Sequence, residues 1–152
     1  AANMKRPSLY KLFPSNEALF YGLSERYLLN FNALYKKNTD HGLIKEVDWY
    51  FNLFIDLLSI YLNQNKACGN LFFYLDSFPT SQMTNIQNKR LLAANIYEIL
   101  SKKELTISTE RVYIASQLCL ATLAIGFYEE NCISPRYVTE GKKAVKAYLA
   151  TN

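Results

Sequence analysis

HGLIKEVDWYFNLFIDLLSIYLN, residues 41 to 63, decides the fold. Placed on a helix at about 100° per residue, Lys45, Asp48, Asn52, Asp56, Ser59 and Asn63 recur at steps of three or four and share one stripe roughly 80° wide. From Val47 onward every other side chain of the stretch is apolar or aromatic. So narrow a polar stripe means that neighbouring elements enclose most of the circumference, which is the position of a central or interfacial helix. A bilayer span is argued against by Glu46, Asp48 and Asp56, since a carboxylate at the membrane centre costs about 2.5 kcal/mol or more. Thr39 and Asp40 supply an N-cap, so this helix is expected to start near His41.

A second stretch, VYIASQLCLATLAIGFY at residues 112 to 128, carries no charge at all. Its small residues Ala115, Cys119, Thr122 and Gly126 fall at steps of four, three and four. That places them on one face, where another helix can approach closely. Seventeen uncharged residues lie at the short limit for a membrane span, so the expectation is a buried central helix capped by Ser108 or Thr109 and running to about Glu130. A membrane-inserting hairpin and a self-association face are the alternatives.

The rest of the chain supplies the wrapping. A first helix is expected from about Asn16 to Lys37, with Glu17 in its first turn and Lys36 and Lys37 in its last, matching the helix dipole; Gly22 and Ser24 mark a place where it can break. NQNKACGN, residues 63 to 70, reads as a turn. LFFYLDSF, residues 71 to 78, reads as a short helix stopped by Pro79, with a strand as the alternative at that length. Residues 80 to 103 form a further helix that turns Met83, Ile86, Ala93, Ile96, Tyr97 and Leu100 inward. Ser134 followed by Pro135 opens a last helix to near Ala150. With five glycines in all and no sustained apolar–polar alternation, the reading is an all-α, single-domain bundle of five to seven helices. Its centre is the apolar helix at about 108–130, with 41–63 as the main neighbour. Residues 1–14 form an extended basic leader and 15–152 the helical domain.

The totals suit one domain. At 152 residues, 50% hydrophobic and 20% charged, a chain of this size hides about 68 to 70% of its unfolded surface and needs no covalent staples. The net charge of +4 is uneven, with six basic and two acidic residues in 1–38 against two and five in 39–79. Cys68, Cys119 and Cys132 are odd in number and lack CxxC spacing, which points to free thiols in a reducing cytosol, a single disulfide being the alternative.

Motifs for chemistry are missing from the sequence. Neither GxxxxGK[ST] nor GxGxxG occurs. His41 is the sole histidine, and its place beside Asp40 and Gly42 is explained by local capping. A nucleophile, base and orienting group cannot be assembled locally around one histidine. Asp48 and Asp56, with Asn52 between them, could present paired carboxylates, though a solvated stripe accounts for them. The expectation is therefore a non-enzyme with no catalytic residue, no cofactor and no metal.

Partners are read from aromatics and charge. Phe72, Phe73 and Tyr74 are consecutive, and neighbours on a helix diverge by about 100°, so all three cannot face one core from a single helix. At least one is expected at the surface or under a partner. Lys5, Arg6 and Lys11, interleaved with Tyr10 and Phe13, form one candidate contact for phosphates or acidic partners. Arg136, Lys143 and Lys146 on one side of the last helix form another. The leading reading is a helical protein–protein interaction domain (adaptor, chaperone-like subunit or regulator) that binds a protein segment, or itself, through an aromatic groove. The runner-up is a nucleic-acid-associated subunit using the terminal basic clusters. No membrane span is expected. An apolar helix wrapped by amphipathic ones serves many helical modules, so architecture alone carries no function.

Overall fold

A computed structural model describes residues 15–40, 46–73 and 81–151, apart from the side chains of Glu17 and of residues 81–85. These residues form six helices and no strand: α1 (Asn16–Thr39), α2 (Val47–Gln64), α3 (Lys66–Phe73), α4 (Ser81–Lys102), α5 (Thr109–Glu130) and α6 (Pro135–Ala150). The chain is an all-α bundle.

Local sequence sets most of the boundaries. Ser15 caps α1 by accepting from the Ala18 amide at 3.1 Å, and Ser108 caps α5 by accepting from Arg111 N at 3.2 Å. Both satisfy donors that a helix start leaves unpaired. Pro135 takes the first position of α6, where its missing N–H costs nothing. Asn131 ends α5 in the left-handed conformation at φ 52°, a backbone region that asparagine tolerates better than most residues.

Several expected boundaries are corrected. Thr39 and Asp40 do not start the second helix but close the first: Thr39 is the last residue of α1, and its hydroxyl donates back to the Lys36 carbonyl at 2.9 Å. The second helix begins at Val47 after an extended Glu46. Residues 66–70, expected in a turn, belong to α3. Gly69 is tolerated there because the ring of Phe127 fills its side-chain space, 2.4 Å from where a Cβ would sit. Gly22 and Ser24 do not break α1.

α2 touches every other helix. Its Tyr50, Phe51, Phe54, Ile55, Leu58 and Leu62 are buried. Against α1 it builds an aromatic cluster in which Phe54 meets Phe31 and Tyr35 edge-on, with ring centroids 5.5 and 5.6 Å apart, a favoured arrangement for ring quadrupoles. The buried Tyr35 hydroxyl donates to the Tyr50 carbonyl at 3.0 Å, so its burial leaves no polar atom stranded. The expectation that α2 is the main neighbour of α5 does not hold. α5 packs chiefly against α6 and then α4, and the small-residue face is the reason. A Cβ on Gly126 would lie 2.6 Å from the Tyr137 ring, and one on Gly141 would lie 2.7 Å from Thr122 Oγ1. Each glycine receives a side chain from the facing helix, so the two helices interlock.

The polar stripe of α2 is partly roofed by α6 rather than left open. Asp56 accepts from the Lys142 ammonium at 2.7 Å, and Ser59 is buried, donating to the Asp56 carbonyl at 2.8 Å. Asn63 grips the main chain of Ile133 from both sides, donating to its carbonyl at 2.9 Å and accepting from its amide at 2.7 Å. These bonds fix the α5–α6 turn on the end of α2. At the other end of α6, Arg111 donates to the carbonyls of Leu149 and Thr151 at 3.0 and 2.5 Å and lies over the Tyr148 ring, closing carbonyls that a helix end leaves open.

Among the described residues α5 is the one helix long and apolar enough to cross a membrane by length and composition. Much of that apolarity is used internally, since Val112, Ala115, Cys119, Leu120, Leu123 and Phe127 are buried in the core.

Candidate functional site

Two openings lie on either side of α4. On α1, Tyr21, Leu28 and Leu29 recur at helical spacing toward α4. On α4, Leu91 and Ala94 do the same toward α1. Together they line a groove of about 560 Å³, within the range of pockets that hold ligands. Leu29 is 61% exposed and Leu91 55% exposed, so two large aliphatic side chains meet water along one depression. Asn32, Asn88 and Asn95 edge it with amides, and Glu25 and Glu98 supply carboxylates. The Lys102 ammonium, one turn beyond Glu98 and bonded to it, holds that carboxyl below the usual range.

The opposite flank of α4 carries a second groove of about 520 Å³ against α5. It includes Arg90, Tyr97, Thr109, Glu110 and Tyr113, and it shares Ala94 with the first. Arg90 lies over the Tyr113 ring, 5.4 Å from its centroid, a cation–π contact. Ala94 therefore forms a low saddle between two depressions. α4 was expected to turn Ile86 inward. Instead Ile86 is exposed, Tyr97 is half-buried, and Leu92 and Ile99 fill the core beside Ala93, Ile96 and Leu100. The buried arc of α4 is wider than the expected face because α1, α2 and α5 all press on it.

The aromatic candidates sit elsewhere. Phe72 and Phe73 are buried in the core, and Tyr74 lies outside the described residues. Two consecutive phenylalanines are both enclosed because α3 is sandwiched. The Phe73 ring tilts against Phe127 at 5.5 Å, and the Tyr128 hydroxyl donates to the Phe73 carbonyl. Both phenylalanines border a smaller cleft of about 240 Å³ with Lys89, Leu120 and Tyr128.

Of the basic candidates, Lys5, Arg6 and Lys11 lie outside the described residues. Arg136, Lys143 and Lys146 are exposed on α6, but the run is interrupted. Lys143 donates to Glu140 at 2.9 Å, and Arg136 lies over the Tyr137 ring at 5.6 Å. His41 also lies outside the described residues. Asp48 and Asp56 line none of the three openings. The Cys68 thiol, buried in apolar surroundings, is pushed up to about 12, and burial raises Cys119 as well. Neither is a nucleophile at neutral pH. Among the described residues no cluster of histidine, cysteine, aspartate or glutamate is arranged to hold a metal ion.

What this surface can do chemically is exclude water from apolar side chains and bond a main chain through amides. The α1–α4 groove escaped sequence reasoning because single leucines on two helices distant in sequence, Leu29 and Leu91, carry no local signal that they share a depression. No family model, curated protein or solved structure matches this chain.

Proposed function

We propose that this chain is a non-enzymatic protein-interaction domain that receives an apolar segment of another protein along the α1–α4 groove. One observation carries the reading: Leu29 and Leu91, 61% and 55% exposed, line the same groove of about 560 Å³. Isolated exposed leucines are ordinary, whereas two of them in one depression are the kind of patch that marks interaction sites. The amides of Asn32, Asn88 and Asn95 suit the rim of such a site, since they can bond a main chain or side-chain polar groups without the desolvation cost of a buried charge. The reading moves the site away from Phe72 and Phe73, whose burial commits them to the core.

The test is selection from a displayed peptide library on the immobilised chain, followed by Leu29→Asp and Leu91→Asp. Support consists of selected peptides that carry two apolar anchors and lose at least tenfold in affinity with either variant, at unchanged melting temperature. Selected peptides indifferent to both substitutions overturn it.

A further inference from the structure

Asn38, Asn63 and Asn65 each spend their carboxamides on main-chain groups. Asn63 does so in both directions at once, donating to the carbonyl and accepting from the amide of Ile133, a residue outside any helix. A carboxamide carries the same donor and acceptor as a peptide unit, so it complements main chain that secondary structure leaves unpaired. Asn32, Asn88 and Asn95 stand apart. All three are half-buried and line the α1–α4 groove, yet among the described residues none of their carboxamides has a hydrogen-bond partner.

Whatever covers the groove must meet those amides. An amphipathic helix bonds its own main chain internally. Seating its apolar face on Leu29 and Leu91 would strip water from three carboxamides and leave them unpaired, a penalty that weighs against a helical occupant. An extended segment instead holds alternate side chains on one face and leaves N–H and C=O groups open along both edges. One edge would face Asn32 on the α1 wall, the other Asn88 and Asn95 on the α4 wall. From Tyr21 to Asn32 the α1 wall runs about 16 Å at 1.5 Å per residue, the length of about five extended residues.

Charge adds a second requirement. Glu25 and Glu98 are the charged residues among those described in the lining. Glu98 is bonded to Lys102, whereas Glu25 makes no ion pair among the described residues. Arg26, its exposed neighbour on α1, lines none of the three openings. Building on the reading of this groove as a protein-interaction site, we propose that its occupant is an extended segment of another protein. The carboxamides of Asn32, Asn88 and Asn95 hold its main chain, its alternate side chains are apolar and rest on Leu29 and Leu91, and a lysine or arginine lies beside Glu25. Holding main chain rather than particular side chains makes the site selective for that pattern and tolerant of sequence within it.

Two displayed libraries panned on the full chain test the proposal, one of linear heptapeptides and one of helices presented on a rigid helical scaffold. The linear library should enrich peptides with apolar residues at alternate positions and one basic residue. For the strongest of these, Asn32→Leu, Asn88→Leu and Asn95→Leu should each weaken binding about fivefold although each adds apolar surface. Methylating the peptide's own amide nitrogens one at a time, with its side chains unchanged, should do the same at one or more positions. Glu25→Gln should weaken binding about threefold at low salt and little at high salt. Enrichment from the helical library alone, abolished by Leu29→Asp, overturns the extended occupant while the groove reading stands. Linear peptides that bind the three leucine variants as well as the native chain, and tolerate every N-methyl group, overturn it in the same way. A Glu25→Gln variant with unchanged affinity at low salt overturns the placement of the basic residue. A dimer of this chain that Leu29→Asp abolishes gives the groove to a second copy and overturns the proposal. No enrichment from either library, or peptides indifferent to Leu29→Asp, overturns the groove reading as well.

Discussion

Replacing Gly126 by alanine isolates the α5–α6 interlock in a single methyl group. In an unobstructed helix the change stabilises by about 1 kcal/mol, because alanine loses less backbone freedom on folding and is the better helix former. Here the new Cβ falls 2.6 Å from Tyr137 Cδ2, 2.8 Å from Cγ and 3.2 Å from Cβ, well inside the 3.4 Å at which ordinary contact begins. The atoms met are the base of the tyrosine side chain, which cannot swing clear without moving α6. The ring is further held by the bond from its hydroxyl to the Glu129 carboxylate. Overpacking of this kind costs about 1 to 3 kcal/mol, so the sum is a net loss of about 1 to 2 kcal/mol. Urea titration followed by helical circular dichroism and by Trp49 fluorescence measures it. The decisive arm is the same substitution in a Tyr137→Ala background, where only the contact at 3.2 Å remains. There Gly126→Ala should be neutral or stabilising by up to about 1 kcal/mol. A stabilising effect in the native background, or the same loss in both backgrounds, would refute the interlock.

Three further outcomes follow from the packing. Arg111→Ala should speed amide exchange in residues 146 to 151 and cost about 1 to 2 kcal/mol, since it opens two carbonyls at the end of α6; exchange unchanged there would show that the guanidinium is not the clasp. With a thiol reagent at pH 7.5 only Cys132 should react quickly, Cys68 and Cys119 becoming reactive on unfolding; because burial raises the folded value of Cys68 to about 12 and raises Cys119 as well, these thiols should contribute stability that is complete below their unfolded value near 8.5 and declines as pH rises from there toward 12, a decline Cys68→Ala should lessen. Lys142→Met should change stability by less than about 1 kcal/mol, because the Asp56 pair is part-exposed and screened; a larger loss, insensitive to salt, would mean that the bridge is the roof's main tie.

How far the sequence carried the fold depends on where its signals were local. The caps Ser108 and Ser134–Pro135 are short-range chemistry, and α5 and α6 begin where those residues stand. The small face of α5 was legible because spacing alone puts Thr122 and Gly126 on one side. A short helix was expected from residue 71, and the earlier start of α3 at Lys66 was missed because Asn65, Gly69 and Asn70 resemble a turn, and only contact with Phe127 makes Gly69 worth placing in a helix. Thr39 and Asp40 were assigned to the wrong helix because a cap residue has no direction until its backbone angles are known. Of the consecutive aromatics, Phe72 and Phe73 are both buried because packing arrives from both sides of a short helix, and Tyr74 lies outside the described residues. The groove could not be read at all, as its lining joins residues of α1 and α4 that lie about sixty positions apart in the chain.

The most direct measurement is photo-crosslinking in the native cell from a diazirine side chain placed at position 91, with position 143 on α6 as control. The α1–α4 reading expects one discrete protein adduct from position 91, absent from position 143 and lost when Leu29 is also changed to aspartate. No adduct at position 91, or the same adducts from both positions, would contradict it.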